Sequence, residues 1–398
     1  MKLLRRRPHL VFPDISTFEE ALLEVEELHT GFKTPRGLAR AVDGVSFELH
    51  RSKTLGIVGE SGSGKTMLVR SIMGLLPTGS VERSGTVRFA GHDLTALEPP
   101  QLRDIWGTQM ALVFQDPMTA LNPVVRIGRQ ITESLRMRAG LDRSAARETA
   151  VSLLKSVGIP DPARRLRAYP HELSGGMRQR VMIAISIACS PRLLLADEPT
   201  TGLDVTVQAQ ILALLRNLQR ERQMAMILVT HDLSVVAGFT DEIAVMYAGR
   251  IVEHAATRVL FSDTRMPYTE ALLGSIPRLS EPSHTRLRVI PGRPPDLALQ
   301  PEGCAFAPRC AYVQDRCRRE APPLRTAGPG HRFACWYPVG SAEGKEALVS
   351  NLEAKVPAAL ALTRASGIAA PSSSNSNSNS SRVSTGAAEQ PRSDSEIA

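Results

Sequence analysis

Leu55-Gly56-Ile57-Val58-Gly59-Glu60-Ser61-Gly62-Ser63-Gly64-Lys65-Thr66 decides the reading of this 398-residue chain. Its first four residues are short and apolar throughout, the pattern of a strand covered on both faces. A GxxxxGK[ST] loop follows, then a helical stretch over Thr66–Leu75. Strand, glycine-rich loop and helix in that order are the context a polyphosphate-binding loop requires. The glycines let backbone N–H groups turn inward, and the positive end of the helix adds to their field. Gly59, Glu60, Ser61, Gly62, Ser63, Gly64, Lys65 and Thr66 are the candidate nucleotide contacts. Lys65 is placed to reach β/γ oxygens and Thr66 to ligate Mg²⁺.

Leu193-Leu194-Leu195-Ala196 and Ala225-Met226-Ile227-Leu228-Val229 are two further buried-strand patterns, and Val42–Leu49 alternates like a half-buried strand. Helical stretches such as Val205–Arg222 lie between them, so residues 20–265 read as an α/β unit with a mostly parallel sheet. Residues 117–190 carry helical patterning and no buried strand, which suggests a helical insertion. Asp197 ends a strand and can hold the metal. Glu198 follows it, free to deprotonate an attacking water.

In Leu173-Ser174-Gly175-Gly176-Met177-Arg178-Gln179, Ser174 reads as a helix N-cap beside two glycines, a second anion-binding helix terminus. Two phosphate cradles make sense if each serves a different copy of one nucleotide. With Gln115 in Phe114-Gln115-Asp116-Pro117, Asp204 in Thr201-Gly202-Leu203-Asp204, and His231 in Val229-Thr230-His231-Asp232, this chain resembles the ATP-binding cassette (ABC) transporter ATPases. The resemblance implies a P-loop NTPase of RecA-like α/β fold with a helical subdomain. It implies two ATPs sandwiched between two such subunits, each ATP bounded by one loop and the other subunit's Ser174-type signature. Ser174, Gly175, Gly176, Gln179, Asp204 and Phe32 (the residue placed to meet adenine) are then nucleotide contacts. Gln115 joins Thr66 and Asp197 at Mg²⁺, and Gln115 and His231 join Glu198 in catalysis. Arg51-Ser52-Lys53 departs from the family's usual Gly-Glu before the strand, in a turn remote from the chemistry.

The remaining composition bounds the partners. Forty-eight Lys and Arg against 40 Asp and Glu leave a modest +8, which does not by itself indicate a nucleic acid. No window approaches eighteen consecutive apolar residues, and Met1-Lys2-Leu3-Leu4-Arg5-Arg6-Arg7 leads into no apolar core of a signal peptide. Disulfides are therefore not expected, and the late Cys304, Cys310, Cys317 and Cys335 point to a metal in an S₄ site. Arg309, Arg316, Arg318 and Arg319 are expected to lower the thiol pKa values. The isolated Cys189 reads as a core residue.

Prolines crowd the chain from Pro267 to Pro308, so residues 266–340 read as a loop-rich C-terminal extension carrying the cysteines. Residues 1–19 read as a tail, and 341–398, with Ser372–Ser381 at their centre, as a disordered one. Pro267-Tyr268-Thr269, Ile290-Pro291-Gly292, Pro294-Pro295-Asp296-Leu297 and Gly303-Cys304-Ala305-Phe306-Ala307-Pro308-Arg309-Cys310 resemble the extension of dipeptide and oligopeptide importer ATPases. That resemblance implies a [4Fe–4S] cluster on the four cysteines, with Zn²⁺ as the alternative. It also implies a paired, similar ATPase, two permease subunits, an extracytoplasmic binding protein, and a peripheral place on the cytoplasmic face of the membrane. Import of nickel or another small solute is the neighbouring reading. A soluble cassette ATPase acting on nucleic acid or ribosomes is the more distant one, and intact Lys65, Asp197, Glu198 and His231 argue against a non-enzymatic scaffold.

Overall fold

The computed structural model describes residues 21–77, 79–276, 290–299 and 301–366. Its strands are β1 (Leu23–Thr34), β2 (Gly37–Leu49), β3 (Thr54–Val58), β4 (Val81–Phe89), β5 (His92–Asp93), β6 (Met110–Val113), β7 (Leu193–Asp197), β8 (Ala225–Thr230), β9 (Glu242–Tyr247), β10 (Arg250–Ala256), β11 (Arg325–Gly328) and β12 (His331–Phe333). They form a four-stranded antiparallel sheet, β2-β1-β4-β5, and an eight-stranded sheet, β11-β12-β10-β9-β3-β8-β7-β6.

Only the stretch β9-β3-β8-β7-β6 of the larger sheet is parallel. A mostly parallel sheet was expected, and two features limit it. β1, β2, β4 and β5 form a separate antiparallel sheet, and β9 returns to β10 through Ala248-Gly249, both with positive φ (49° and 82°). That is a two-residue hairpin geometry, but an alanine at its first position hides it from a sequence pattern.

The apolar runs do lie in the middle of the sheet. Leu193 and Leu195 of β7 pack with Leu55 and Ile57 of β3, Ile227 of β8 and the smaller sheet. Leu194 and Ala196 pack on the opposite face with Met226, Leu228 and the helices. Successive strand side chains point to opposite faces, and both faces are covered, so no polar position survives. A Leu194→Ala cavity here would cost about 2–5 kcal/mol.

Residues 117–190 form the helical insertion, with Ile127–Arg138, Arg143–Ser156 and Gly175–Ser186 as its main helices. The Asp142 carboxylate accepts from Ser144 N–H (2.8 Å) and Ala145 N–H (2.9 Å) to start the second of these. Cys189 is only partly buried, its thiol 3.8 Å from the Ser134 carbonyl.

The C-terminal extension is fused to the cassette rather than tethered to it. β12 pairs with β10 through Glu253↔Phe333. The fully buried Glu253 accepts from Arg265 N–H (2.7 Å) and Met266 N–H (3.2 Å) and lies 3.0 Å from His331 Nε2. Residues 342–366, expected within a disordered tail, form the helices Ala342–Glu353 and Pro357–Ser366. Their small apolar side chains gave little periodic signal. Ser341 caps the first, and the buried Asn351 amide donates to the Ala311 and Val313 carbonyls, both at 2.9 Å. Residues 1–20 and Ser372–Ser381 lie outside the described residues.

Candidate nucleotide and hydrolysis site

The loop 59–64 leaves β3 at its carboxyl end and enters the helix Lys65–Met73. Gly64 caps that helix at φ 104°, and a Cβ there would stand 2.1 Å from the Ala41 carbonyl oxygen, so only glycine fits. No side chain caps this terminus, which leaves its N–H groups for an anion. The Lys65 ammonium is buried and donates to the carbonyls of Gly59 (2.8 Å) and Glu60 (2.9 Å). Burial lowers its pKa from the ordinary 10.5, opposed by Glu198, Asp197 and Glu60.

Glu198 collects the rest of the site. Its Oε2 accepts from Gln115 Nε2 (3.1 Å) and the Thr201 hydroxyl (3.0 Å) and lies 3.4 Å from His231 Nδ1, while Oε1 is 3.8 Å from Lys65 Nζ. Its backbone sits at φ 45°, a strained setting for a non-glycine residue, held by its N–H donating to the Val229 carbonyl (3.0 Å). Thr66 donates its hydroxyl to Asp197 Oδ1 at 3.1 Å. Burial raises the Asp197 pKa, the Thr66 bond opposes that rise, and the Glu198 charge adds to it. Ala41, Ser61, Gly62, Gly64, Lys65, Thr66, Met67, Gln115, Glu198, His231 and Leu297 line one cavity of about 470 Å³.

The loop, Gln115, Asp197, Glu198 and His231 are thus brought together. Gln115 bonds to Glu198, not to the Thr66–Asp197 pair expected to share the metal with it. Ser174 is exposed, does not line this cavity, and accepts from Met177 N–H at 3.3 Å. Gly176 packs tightly, since a Cβ there would stand 2.9 Å from Val207 Cγ1. Gln179 is 2% exposed and its buried amide nitrogen has no hydrogen-bond partner among the described residues. Asp204 caps the helix Val205–Arg222, accepting from Val207 N–H at 3.0 Å. Phe32 is half-buried on β1, away from the cavity lining.

Sequence reading missed Thr201 as a partner of Glu198, and Leu297, which the extension contributes to the cavity. A threonine three residues past the acid was the available signal for the first. The second had none.

Cys304, Cys310, Cys317 and Cys335 line one void of about 10 Å³ with Phe306, Tyr312 and Trp336. Among the described residues, no group of three or more His, Cys, Asp or Glu is placed to hold a metal ion. Burial outweighs Arg318 and Arg316, which lower the Cys317 thiol pKa as expected. Burial pushes Cys304 up to about 11 and Cys335 up to about 12, and raises Cys310 and Cys317 as well. Arg309 is turned away to Glu60, and Arg316 lies over the Trp336 ring with its Nε 3.0 Å from Glu320.

A family described as "ABC transporter" matches residues 42–201, and one described as "Oligopeptide/dipeptide transporter, C-terminal region" matches residues 252–317. The chain is 46% identical over 322 residues to the dipeptide transport ATP-binding protein DppD of Escherichia coli, covering 81% of this chain and 98% of that protein. It is 47% identical over 318 residues to the oligopeptide transport ATP-binding protein OppD of Salmonella typhimurium, covering 80% and 94%. A solved ATP-binding cassette, a dimer in a post-hydrolysis state bound to ADP and Pi, superposes with a TM-score of 0.54 at 27% identity, covering 59% of this chain and 99% of that one. With the loop, the acid pair and the extension all matched, the chain belongs to the ABC transporter ATP-binding proteins of the dipeptide and oligopeptide transport group.

Proposed function

We propose that this chain is the ATP-hydrolysing subunit that powers import of dipeptides or oligopeptides through a membrane ABC transporter. The observation that carries the chemistry is the convergence of Gln115, Thr201 and His231 on one oxygen of Glu198, at the wall of the cavity lined by Lys65 and Thr66. A carboxylate so held can take the proton of an attacking water, while Gln115 and His231 orient water and γ-phosphate. Lys65 and the uncapped helix end neutralise the charge that develops.

Mg²⁺ fits this donor set. The Thr66 hydroxyl and Asp197 Oδ1, 3.1 Å apart, are spaced like neighbouring ligands of an octahedron whose bonds are about 2.0–2.1 Å. The cation would offset charge on the phosphates and relieve the cost of burying the Asp197 carboxylate. For the cysteines, which line one void but are not placed as they stand to hold a metal ion, we assign a [4Fe–4S] cluster on the resemblance of the extension alone. Anaerobically purified protein is then brown and contains iron; colourless protein with stoichiometric zinc refutes the assignment.

The working unit pairs this chain with a similar ATPase, so that Ser174, Gly175 and Gly176 of one subunit face the phosphates held by the other. Two permease subunits dock on the helical insertion, where Met118, Val124 and Met137 stand exposed, and an extracytoplasmic protein delivers the peptide. No helix among the described residues is long and apolar enough to cross a membrane. The chain then works as a peripheral subunit on the cytoplasmic face. Uptake of a labelled dipeptide and of a labelled oligopeptide, in a deletion strain carrying either the wild-type chain or Lys65→Ala, tests this. Uptake of either peptide restored only by wild type supports import; equal uptake with both chains ends the proposal.

A further inference from the structure

The phosphate-binding loop is held from outside the cassette by residues of the C-terminal region. Glu60, the second residue of the loop, has every polar group engaged. Its N–H donates to the Tyr268 hydroxyl at 2.8 Å, and its carbonyl accepts from Lys65 Nζ at 2.9 Å. Its carboxylate receives both arms of the Arg309 guanidinium, Nη1 at 2.6 Å and Nη2 at 2.8 Å.

Arg309 is itself fixed in place. Its side chain is 4% exposed, its Nε donates to the Pro291 carbonyl (2.8 Å), and its Nη1 lies 3.3 Å from the Tyr247 hydroxyl. Tyr247, Tyr268 and Phe306 pack around it with ring centroids 4.5–5.4 Å apart. A bidentate arginine–carboxylate pair fixes orientation as well as charge, and it acts here one residue before Ser61 and Gly62, which line the cavity.

We propose that Arg309 and Tyr268 are positioning residues for nucleotide binding, acting through Glu60, so that the C-terminal extension sets the affinity of the phosphate loop. A loop already held in its binding conformation loses less conformational freedom when ATP arrives. Phe306 packs against this arrangement and also lines the four-cysteine void, and Arg309 is the neighbour of Cys310. Any change in the cysteine site therefore bears on the same lever.

The proposal rests on residues 59–66 being the nucleotide site, and the experiment separates the two. In the purified full-length chain, binding of a fluorescent ATP analogue with Mg²⁺ is titrated for wild type, Arg309→Ala, Arg309→Lys, Tyr268→Phe, Glu60→Ala/Arg309→Ala and Lys65→Ala, with thermal melts run alongside. Arg309→Ala is expected to weaken binding about tenfold, with a larger change in KM for ATP than in kcat. Arg309→Lys should recover part of that loss by restoring the charge without the second hydrogen bond. The double variant should bind no worse than Arg309→Ala, because the arginine acts through the glutamate.

Unchanged affinity in Arg309→Ala, or a double variant that binds more weakly than Arg309→Ala, overturns the proposal. If Arg309→Ala fails to fold, Tyr268→Phe, which deletes one hydroxyl, decides: an affinity equal to wild type overturns the proposal. If Lys65→Ala also binds normally, the nucleotide site itself has been misassigned.

Discussion

Two helix N-termini in this chain look alike in sequence and differ in structure. The one at Lys65 has no side-chain cap, lies beside Asp197 and Glu198, and opens on the cavity that holds the rest of the hydrolytic groups. The one at Gly175 is capped by its own Ser174, lies in solvent, and has none of those groups beside it. The first end is supplied with charge partners by its own chain. The second has space in front of it, which a second subunit's phosphates can fill. Nucleotide binding should therefore belong to one end and turnover to both.

The sharpest way to break that division is Glu198→Gln, which should bind MgATP while hydrolysing it on the order of 10³-fold more slowly. Steady-state ATPase assays beside nucleotide titration measure both, and full turnover would remove Glu198 from its role. Ser174→Arg should leave nucleotide affinity of the isolated chain at its wild-type value and lower turnover by about 10²-fold in the paired transporter, as loss of a charge-stabilising donor does. Weakened binding in the isolated chain would place the Ser174 end inside the first site. Asp204→Ala removes the cap of the helix that packs on Gly176, and should cost about 1 kcal/mol in denaturant titration.

The smallest effect is a pH dependence. Burial raises the Asp197 pKa above its ordinary 3.8, so the folded chain holds that proton to higher pH than the unfolded chain does. Across the interval from 3.8 to the raised value, this group makes stability fall as pH rises. Without nucleotide or Mg²⁺, Asp197→Asn should melt above wild type by a margin that grows through that interval and then levels off. A margin independent of pH would assign the strain elsewhere.

Much of this was legible because the signals are local. Leu55–Val58 and Leu193–Ala196 read as buried strands since both faces of the sheet are covered, and the loop between Val58 and Lys65 carries its chemistry in consecutive residues. Ser174 announced itself as a cap for the same reason. What failed was non-local. The arginines near the cysteines looked like counter-charges, but desolvation dominates the thiols and Arg309 is spent on Glu60.

Residue order alone determined the phosphate loop, the acid pair at Asp197 and Glu198, and the cassette's alternation of strands and helices, because each depends on neighbours within a few positions. Tertiary structure decided which side chains meet. It set Gln115, Thr201 and His231 around one carboxylate oxygen, and it joined Arg309 to Glu60 across 249 positions of chain. No periodicity encodes such pairings, since they exist only once a sheet and its packed extension have fixed the distance between them.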